Sequence, residues 1–188
     1  MSVSLKALAA DCSRRVRTAA AAVMIIMVAL ISGGPGSSRA EDAKPISDAS
    51  ALWSASFKDL TGTMQKFEGL KGKIAVVYFW ATWCEPCVKE GAELKALYEK
   101  NHDKGLEVLG VAMDNADKVK DFVAKNGLPY QIVYGGREAI QLSKDLGNSV
   151  GGIPFLVVIG RDGKIADRII GESKEGRVQG IITPLLGG

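Results

Sequence analysis

The chain is predicted to fold as a layered α/β domain, a central sheet with helices on both faces. Three features point there. Lys73–Trp80, KIAVVYFW, is a continuous apolar run with β-branched and aromatic residues, as expected of a strand buried on both faces. Beyond it, segments with helical spacing alternate with further strand-like runs. Near the end, two such runs are joined by Gly160-Arg161-Asp162-Gly163, a hairpin signal.

Taken in order, the first strand is followed by a helix from Glu85 to Asn101, where Val88, Gly91/Ala92, Leu94/Lys95, Leu97 and Tyr98 recur on one face. Leu106–Met113, LEVLGVAM, is again strand-like. A helix over Asp117–Asn126 presents Val119, Phe122 and Val123, and Asn126-Gly127 closes it. Tyr130–Tyr134 is a short strand, and Glu138–Leu146 a helix stopped by Gly147. Strands over Phe155–Ile159 and Lys164–Ile170 form the hairpin, and a helix from Lys174 to Leu186 ends the chain. Right-handed crossovers bring the ends of the first strands, and the loops after them, to one edge of the sheet. Trp83-Cys84-Glu85-Pro86-Cys87 lies on that edge.

With 188 residues, 47% hydrophobic and 24% charged, the composition suits one domain with an appendage. Wholesale disorder, a collagen-like repeat and a disulfide-dense miniprotein are excluded. The net charge of +3 is unevenly spread. Residues 1–40 hold five basic residues (Lys6, Arg14, Arg15, Arg17, Arg39) against Asp11, whereas residues 41–188 hold 19 basic and 20 acidic. The folded part therefore lacks the basic footprint of a nucleic-acid binder, and no nucleic-acid partner is expected. His102 is the single histidine, which argues against His-rich metal sites; near a helix end it reads as a solvated cation.

The basic excess belongs to a leader. Arg14, Arg15 and Arg17 precede the uncharged Thr18–Ile31, and SGGPGSSRA follows, ending in small residues at Ser38 and Ala40. This pattern matches a secretory signal cleaved after Ala40. An uncleaved N-terminal membrane anchor is the other reading, although Gly33, Gly34, Pro35 and Gly36 make the last third of Thr18–Ser38 poor hydrocarbon filler. Under both readings the basic cluster stays cytoplasmic and the rest is exported. Ser13-Arg14-Arg15 hints at a twin-arginine signal, and Cys12 precedes the apolar run, so it is not a lipoprotein-type acylation site. The expected organisation is a leader over 1–40, a tether or loosely packed lead-in over 41–56, and one domain over 57–188.

Cys84 and Cys87 are the two cysteines of the exported region. A zinc site needs four ligands, and no second Cys pair exists. Haem attachment needs C-x-x-C-H, and Val88 follows Cys87. A purely structural disulfide gains little from so small a loop. A redox pair remains, with no resident cofactor or metal. At a helix start, unpaired N–H groups and the helix dipole favour a thiolate, so Cys84 is the expected attacking sulfur, below the ~8.5 of a free thiol. Cys87, one turn on, is expected to stay protonated until it resolves a mixed disulfide. Pro86 fits the first turn. Glu85 adds negative charge near the thiolate, which favours a reducing couple, unless it points into water. Glu90, three residues beyond Cys87, reads either as proton acceptor or donor for Cys87 or as a solvated helix carboxylate.

GKIAVVYFWATWCEPCVKE resembles the active-site segment of thioredoxin-like thiol:disulfide interchange proteins of the periplasmic TlpA-like group. The likeness runs from about Phe57 to Gly188 and includes FKDLTGTMQKFEGLKGK, GLEVLGVAMD and VGGIPFLVVIGRDGKIADRIIG. It implies a thioredoxin fold, a central mixed sheet flanked by helices, with an inserted helix and strand over about Asp114–Gly135. It also implies a cis Ile153–Pro154 bond beside the disulfide, with backbone there pairing to an extended client segment. Trp83 joins Ile153 and Pro154 at that client-binding surface, and Trp80 and Trp83 are expected to shield the disulfide and fill core. The resemblance favours the proton-transfer reading of Glu90. Two positions depart from many relatives: Gly91 stands where Pro is usual, and Phe155 where Thr follows the cis-Pro.

The resemblance implies an exported thiol:disulfide oxidoreductase of the periplasm. Its partners would be a disulfide-containing client, from cytochrome c or oxidase copper-site biogenesis, and a membrane thiol electron donor. A periplasmic oxidant, a Cu(I)-binding chaperone using Cys84 and Cys87, and an inactive docking module are the rivals.

Overall fold

Residues 74–80 are buried at every position, and the remaining elements are arranged to cover them. The structure is a computed structural model that describes residues 47–187. The leader, its Cys12 and residues 41–46 lie outside the described residues. In chain order the elements are α1 (Ser50–Ser54), β1 (Ser56–Asp59), β2 (Met64–Lys66), β3 (Ile74–Trp80), α2 (Glu85–Asn101), β4 (Leu106–Ala112) and α3 (Ala116–Asn126). There follow β5 (Gln131–Tyr134), α4 (Arg137–Asp145), β6 (Phe155–Ile159), β7 (Ile165–Ile170) and α5 (Arg177–Leu186).

The strands form one mixed sheet in the order β2-β1-β5-β4-β3-β6-β7. β3 and β4 run parallel from Ile74 opposite Leu106 to Trp80 opposite Ala112, and β4 and β5 are also parallel. β6 and β7 join antiparallel, with Phe79 opposite Phe155 and Phe155 opposite Ile170. That pairing places the ends of β3, β4 and β7 and the start of β6 at one end of the sheet. On one face Val76, Tyr78 and Trp80 pack with Leu94 of α2, Val119 of α3 and Val178 and Ile182 of α5. On the other, Val77 and Phe79 pack with Leu52 of α1 and Leu142 of α4. Each large apolar side chain so buried contributes about 1.5–3 kcal/mol. An exposed ion pair such as Lys73–Glu107 (2.7 Å) adds at most about 1 kcal/mol.

The expected helix and strand of the insertion are α3 and β5. Asn115 caps α3 by accepting from the Asp117 N–H at 2.9 Å, and Gly127, at φ +59°, ends it in the left-handed conformation.

Three expectations need correction. The lead-in is not loose over residues 47–56. Ala49 and Leu52 are fully buried, and the Ala49 N–H donates to the Gly163 carbonyl at 3.2 Å, docking α1 against the β6–β7 turn. Five helical residues are too few to display a period, so burial of Leu52 is invisible in sequence. β1 and β2 are additional strands, too short and too exposed to read as strand signals. The last helix begins at Arg177 rather than Lys174, because Gly176 adopts φ +74° and interrupts helical geometry. Residues 172–176 form a loop instead.

Leu52→Ala is expected to lower the unfolding free energy by about 2–5 kcal/mol in urea titrations, as for other fully buried leucines. A loss under about 0.5 kcal/mol, typical of surface positions, would mean the lead-in contributes nothing to the core.

Candidate active site

β3 delivers the chain to the site. Past Trp80 the backbone turns through Ala81–Trp83, and the Cys84 N–H donates to the Ala81 carbonyl at 3.2 Å. Cys84 is the N-cap of α2, one residue ahead of the first helical position expected for it. Its carbonyl accepts the first intrahelical bond, from Val88 N–H at 3.1 Å. Pro86, at the second helical position, has no N–H to leave unpaired. The N–H groups of Glu85 and Cys87 stand at the open mouth of the helix, beside the sulfurs.

Cys84 and Cys87 are joined as a disulfide, with Cα atoms 5.2 Å apart. Cys84 is 6% exposed and Cys87 1% exposed, so the outer sulfur presents a narrow edge and the inner one none. Cys87 also borders a cleft of about 250 Å³ walled by Tyr78, Trp80, Phe122 and Tyr130. Lys95 and Asn126 also line this cleft.

Around the pair, Glu85 is exposed to water, so its influence on the sulfurs is screened. Trp83 is 69% exposed and so fills no core, contrary to that part of the expectation, whereas Trp80 is buried in the core. The Ile153–Pro154 bond is cis, with Pro154 buried and Ile153 half-buried at the same end of the sheet. Trp83, Val150 and Ile170 are exposed apolar residues of this end. Gly91, in place of proline, sits mid-helix without interrupting α2.

The turn before Cys84 is held from the insertion. Thr82 donates through both its N–H (3.3 Å) and its hydroxyl to the Asp114 carboxylate, just past β4. Burial pushes the Asp114 carboxyl up, but hydrogen bonds from Thr82 and the Asn115 N–H outweigh that and hold it below the ordinary carboxylate range.

Glu90 is 3% exposed and so is not the solvated carboxylate of its alternative reading. Ser173, in the loop after β7, donates to it: its hydroxyl lies 2.9 and 2.8 Å from the two carboxylate oxygens and its N–H 3.3 Å from one. The Tyr78 hydroxyl donates to the Cys87 carbonyl, and the Tyr130 hydroxyl to the Gly91 carbonyl at 3.4 Å. Burial first, then Tyr130 and Glu90, push Tyr78 well above the ordinary phenol range. Burial and the nearby Glu90 likewise raise Glu93. His102, away from this site, lies 3.3 Å from the Leu106 carbonyl and against the Tyr98 ring.

Sequence reasoning missed Ser173, Asp114 and the two tyrosine hydroxyls. Gly171 and Gly176 flanking residues 172–175 were a signal for a loop rather than a helix start there. Nothing in sequence pairs Thr82 with Asp114, which are 32 residues apart.

Asp114→Ala is expected to destabilise the protein near neutrality, the gap from wild type narrowing as pH falls. The sign follows from a depressed carboxyl: its contribution is complete above the unfolded value of ~3.9 and fades as pH drops through the folded one. Melting temperatures of both proteins at pH 7 and pH 3 test this; a gap independent of pH contradicts it.

The Redoxin family profile matches residues 41–182. The chain is 35% identical over 126 residues to the thiol-disulfide oxidoreductase ResA of Bacillus anthracis, covering 66% of this chain and 70% of that one. It is 36% identical over 124 residues to the thiol:disulfide interchange protein HelX of Rhodobacter capsulatus, covering 62% and 63% of the two chains. Among solved structures, a thiol:disulfide interchange protein of the thioredoxin family from Chlorobium tepidum superposes with a TM-score of 0.64 at 26% identity, over 71% of this chain and 93% of its own. A secreted thiol-disulfide isomerase from Corynebacterium glutamicum gives 0.63 at 25% identity, over 71% and 84%. The mixed sheet with its flanking helices is therefore a thioredoxin fold. The chain belongs to the Redoxin family, and with its Cys84–Cys87 pair it is a thiol-disulfide oxidoreductase of the ResA and HelX type.

Proposed function

We propose that the protein is exported and reduces disulfides of client proteins in the periplasm. The observation that carries this reading is the asymmetry of the pair: Cys84 at the helix mouth with an exposed edge, Cys87 fully covered one turn inside. In the reduced protein the Cys84 thiolate attacks a client disulfide, and the displaced client sulfur leaves as a thiolate. Cys87 then attacks the Cys84 sulfur; the Cys84–client bond breaks, the second client sulfur leaves, and the Cys84–Cys87 disulfide forms. Two electrons pass to the client, and its two sulfurs end as thiols. A membrane thiol donor returns two electrons to the pair.

Glu90 takes the proton from Cys87 as it attacks, a role supported by its burial on α2 three residues beyond Cys87. Ile153 and Pro154 offer backbone to an extended client segment, and the exposed Trp83 gives that segment an apolar contact. The leader of residues 1–40 directs export, and a solved relative described as secreted agrees. Client cytochromes c or copper-site assembly factors fit this place in the envelope. Among the described residues no helix is long and apolar enough to cross a membrane.

Cys87→Ser is expected to accumulate a covalent Cys84–client adduct in cells, visible as a reducible band whose client mass spectrometry identifies. Absence of any adduct under reducing supply contradicts client reduction. A redox potential near ~−270 mV is expected, and one near ~−120 mV would make the protein an oxidant instead.

A further inference from the structure

We propose that Ser173 is a positioning residue for the resolving step, holding the Glu90 carboxylate in place to receive the proton of Cys87. This rests on the reading of Glu90 given above and assigns a second residue to the same chemistry.

The loop over residues 172–176 is tied along the acidic side of α2. Lys89 and Glu172 approach to 3.8 Å on the outside, and Glu90 and Ser173 bond on the inside. The near end of the loop is fixed by the Gly171 N–H, which donates to the Pro154 carbonyl at 2.8 Å. The same short segment thus contacts both the cis-Pro backbone and the buried carboxylate.

A carboxylate 3% exposed needs donors. Among the described residues no Lys, Arg or His pairs with Glu90, and every hydrogen bond to it comes from Ser173. Tyr78 of β3 and Glu93 of α2 lie within electrostatic reach of Glu90, Tyr130 acts on Tyr78 and Glu175 on Glu93, Glu172 approaches Lys89, and Cys87 precedes Glu90 by three residues on α2. Lys89 points outward to Glu172. With so many acids and so few cations nearby, the Ser173 hydroxyl and N–H are the groups that stabilise charge on Glu90. They also fix its rotamer, since the hydroxyl reaches both oxygens.

In the step itself the Cys87 proton passes to the Glu90 carboxylate as the Cys87 sulfur bonds to Cys84. The Cys84–client bond breaks, and the client sulfur leaves with the electron pair. Losing Ser173 leaves the attack of Cys84 untouched and impairs this second exchange.

The test is stopped-flow reaction of the reduced full-length protein with the chromogenic disulfide dithionitrobenzoate. The first thiolate released reports attack by Cys84, and the second reports resolution by Cys87. Ser173→Ala is expected to keep the first phase within about two-fold and to slow the second about ten-fold near pH 7, within the range of proton-transfer catalysis. Ser173→Thr and Ser173→Val, near-identical in volume, separate hydroxyl from packing: Thr should retain the wild-type profile and Val should behave as Ala. Glu90→Gln distinguishes the two levels of the argument. If Glu90→Gln slows resolution while the Thr and Val variants resolve alike, Ser173 has no positioning role and Glu90 keeps its own. If Glu90→Gln resolves at the wild-type rate, the role of Glu90 falls, and that of Ser173 with it.

Discussion

The structure depends on one constraint, the burial of β3 on both faces. Seven successive apolar side chains cannot be accommodated at an edge or on a half-exposed sheet, so helices must cover both sides and strands must flank both edges. Once those are in place, the chain leaving Trp80 has one way out, through the turn into α2. The Cys84 position follows from the core, and the Ala81 and Thr82–Asp114 hydrogen bonds hold the turn before it. Sulfur chemistry is tuned by geometry at the scale of a single helical turn, and a rigid strand supplies that geometry.

A second theme is the handling of charge near the sulfurs. The exposed Glu85 is screened, whereas Glu90 is buried, and its charge adds to the burial that raises Tyr78 and Glu93. Burying a carboxylate without a cation is unfavourable unless hydrogen bonds replace water. Here the loop after β7 supplies them, and Tyr78 and Tyr130 tie the same helix to the sheet through its carbonyls. The buried carboxylate thus lies on the inner side of α2, and Cys84, with its exposed edge, at the helix mouth.

Most of the architecture was legible because it follows from long apolar runs and glycine punctuation. KIAVVYFW, the α3 helix closed by Gly127 and the glycine-flanked hairpin at residues 160–163 appear where the sequence places them. The sulfur pair was legible because two cysteines at C-x-x-C spacing leave few chemistries open. What escaped was short or long-range. α1 hides one buried leucine in a stretch of small residues, and β1 and β2 are strands of four and three residues, too short to show a period. The Ser173–Glu90 and Thr82–Asp114 contacts join residues 83 and 32 positions apart, a separation over which periodicity carries no information. Glu90 itself was ambiguous from spacing; only tertiary burial separates it from the solvated Glu99 on the same helix.

The central claim is that the helix mouth activates the outer sulfur while the inner one stays protonated. Its most direct test is the pH dependence of alkylation in the reduced protein, with Cys84 and Cys87 followed separately by peptide mass spectrometry. The account predicts that Cys84 reacts first, with a midpoint clearly below the ~8.5 of a free thiol, and that Cys87 resists modification well above it. Equal reactivity of the two, or a Cys84 midpoint at or above the free-thiol value, would contradict it.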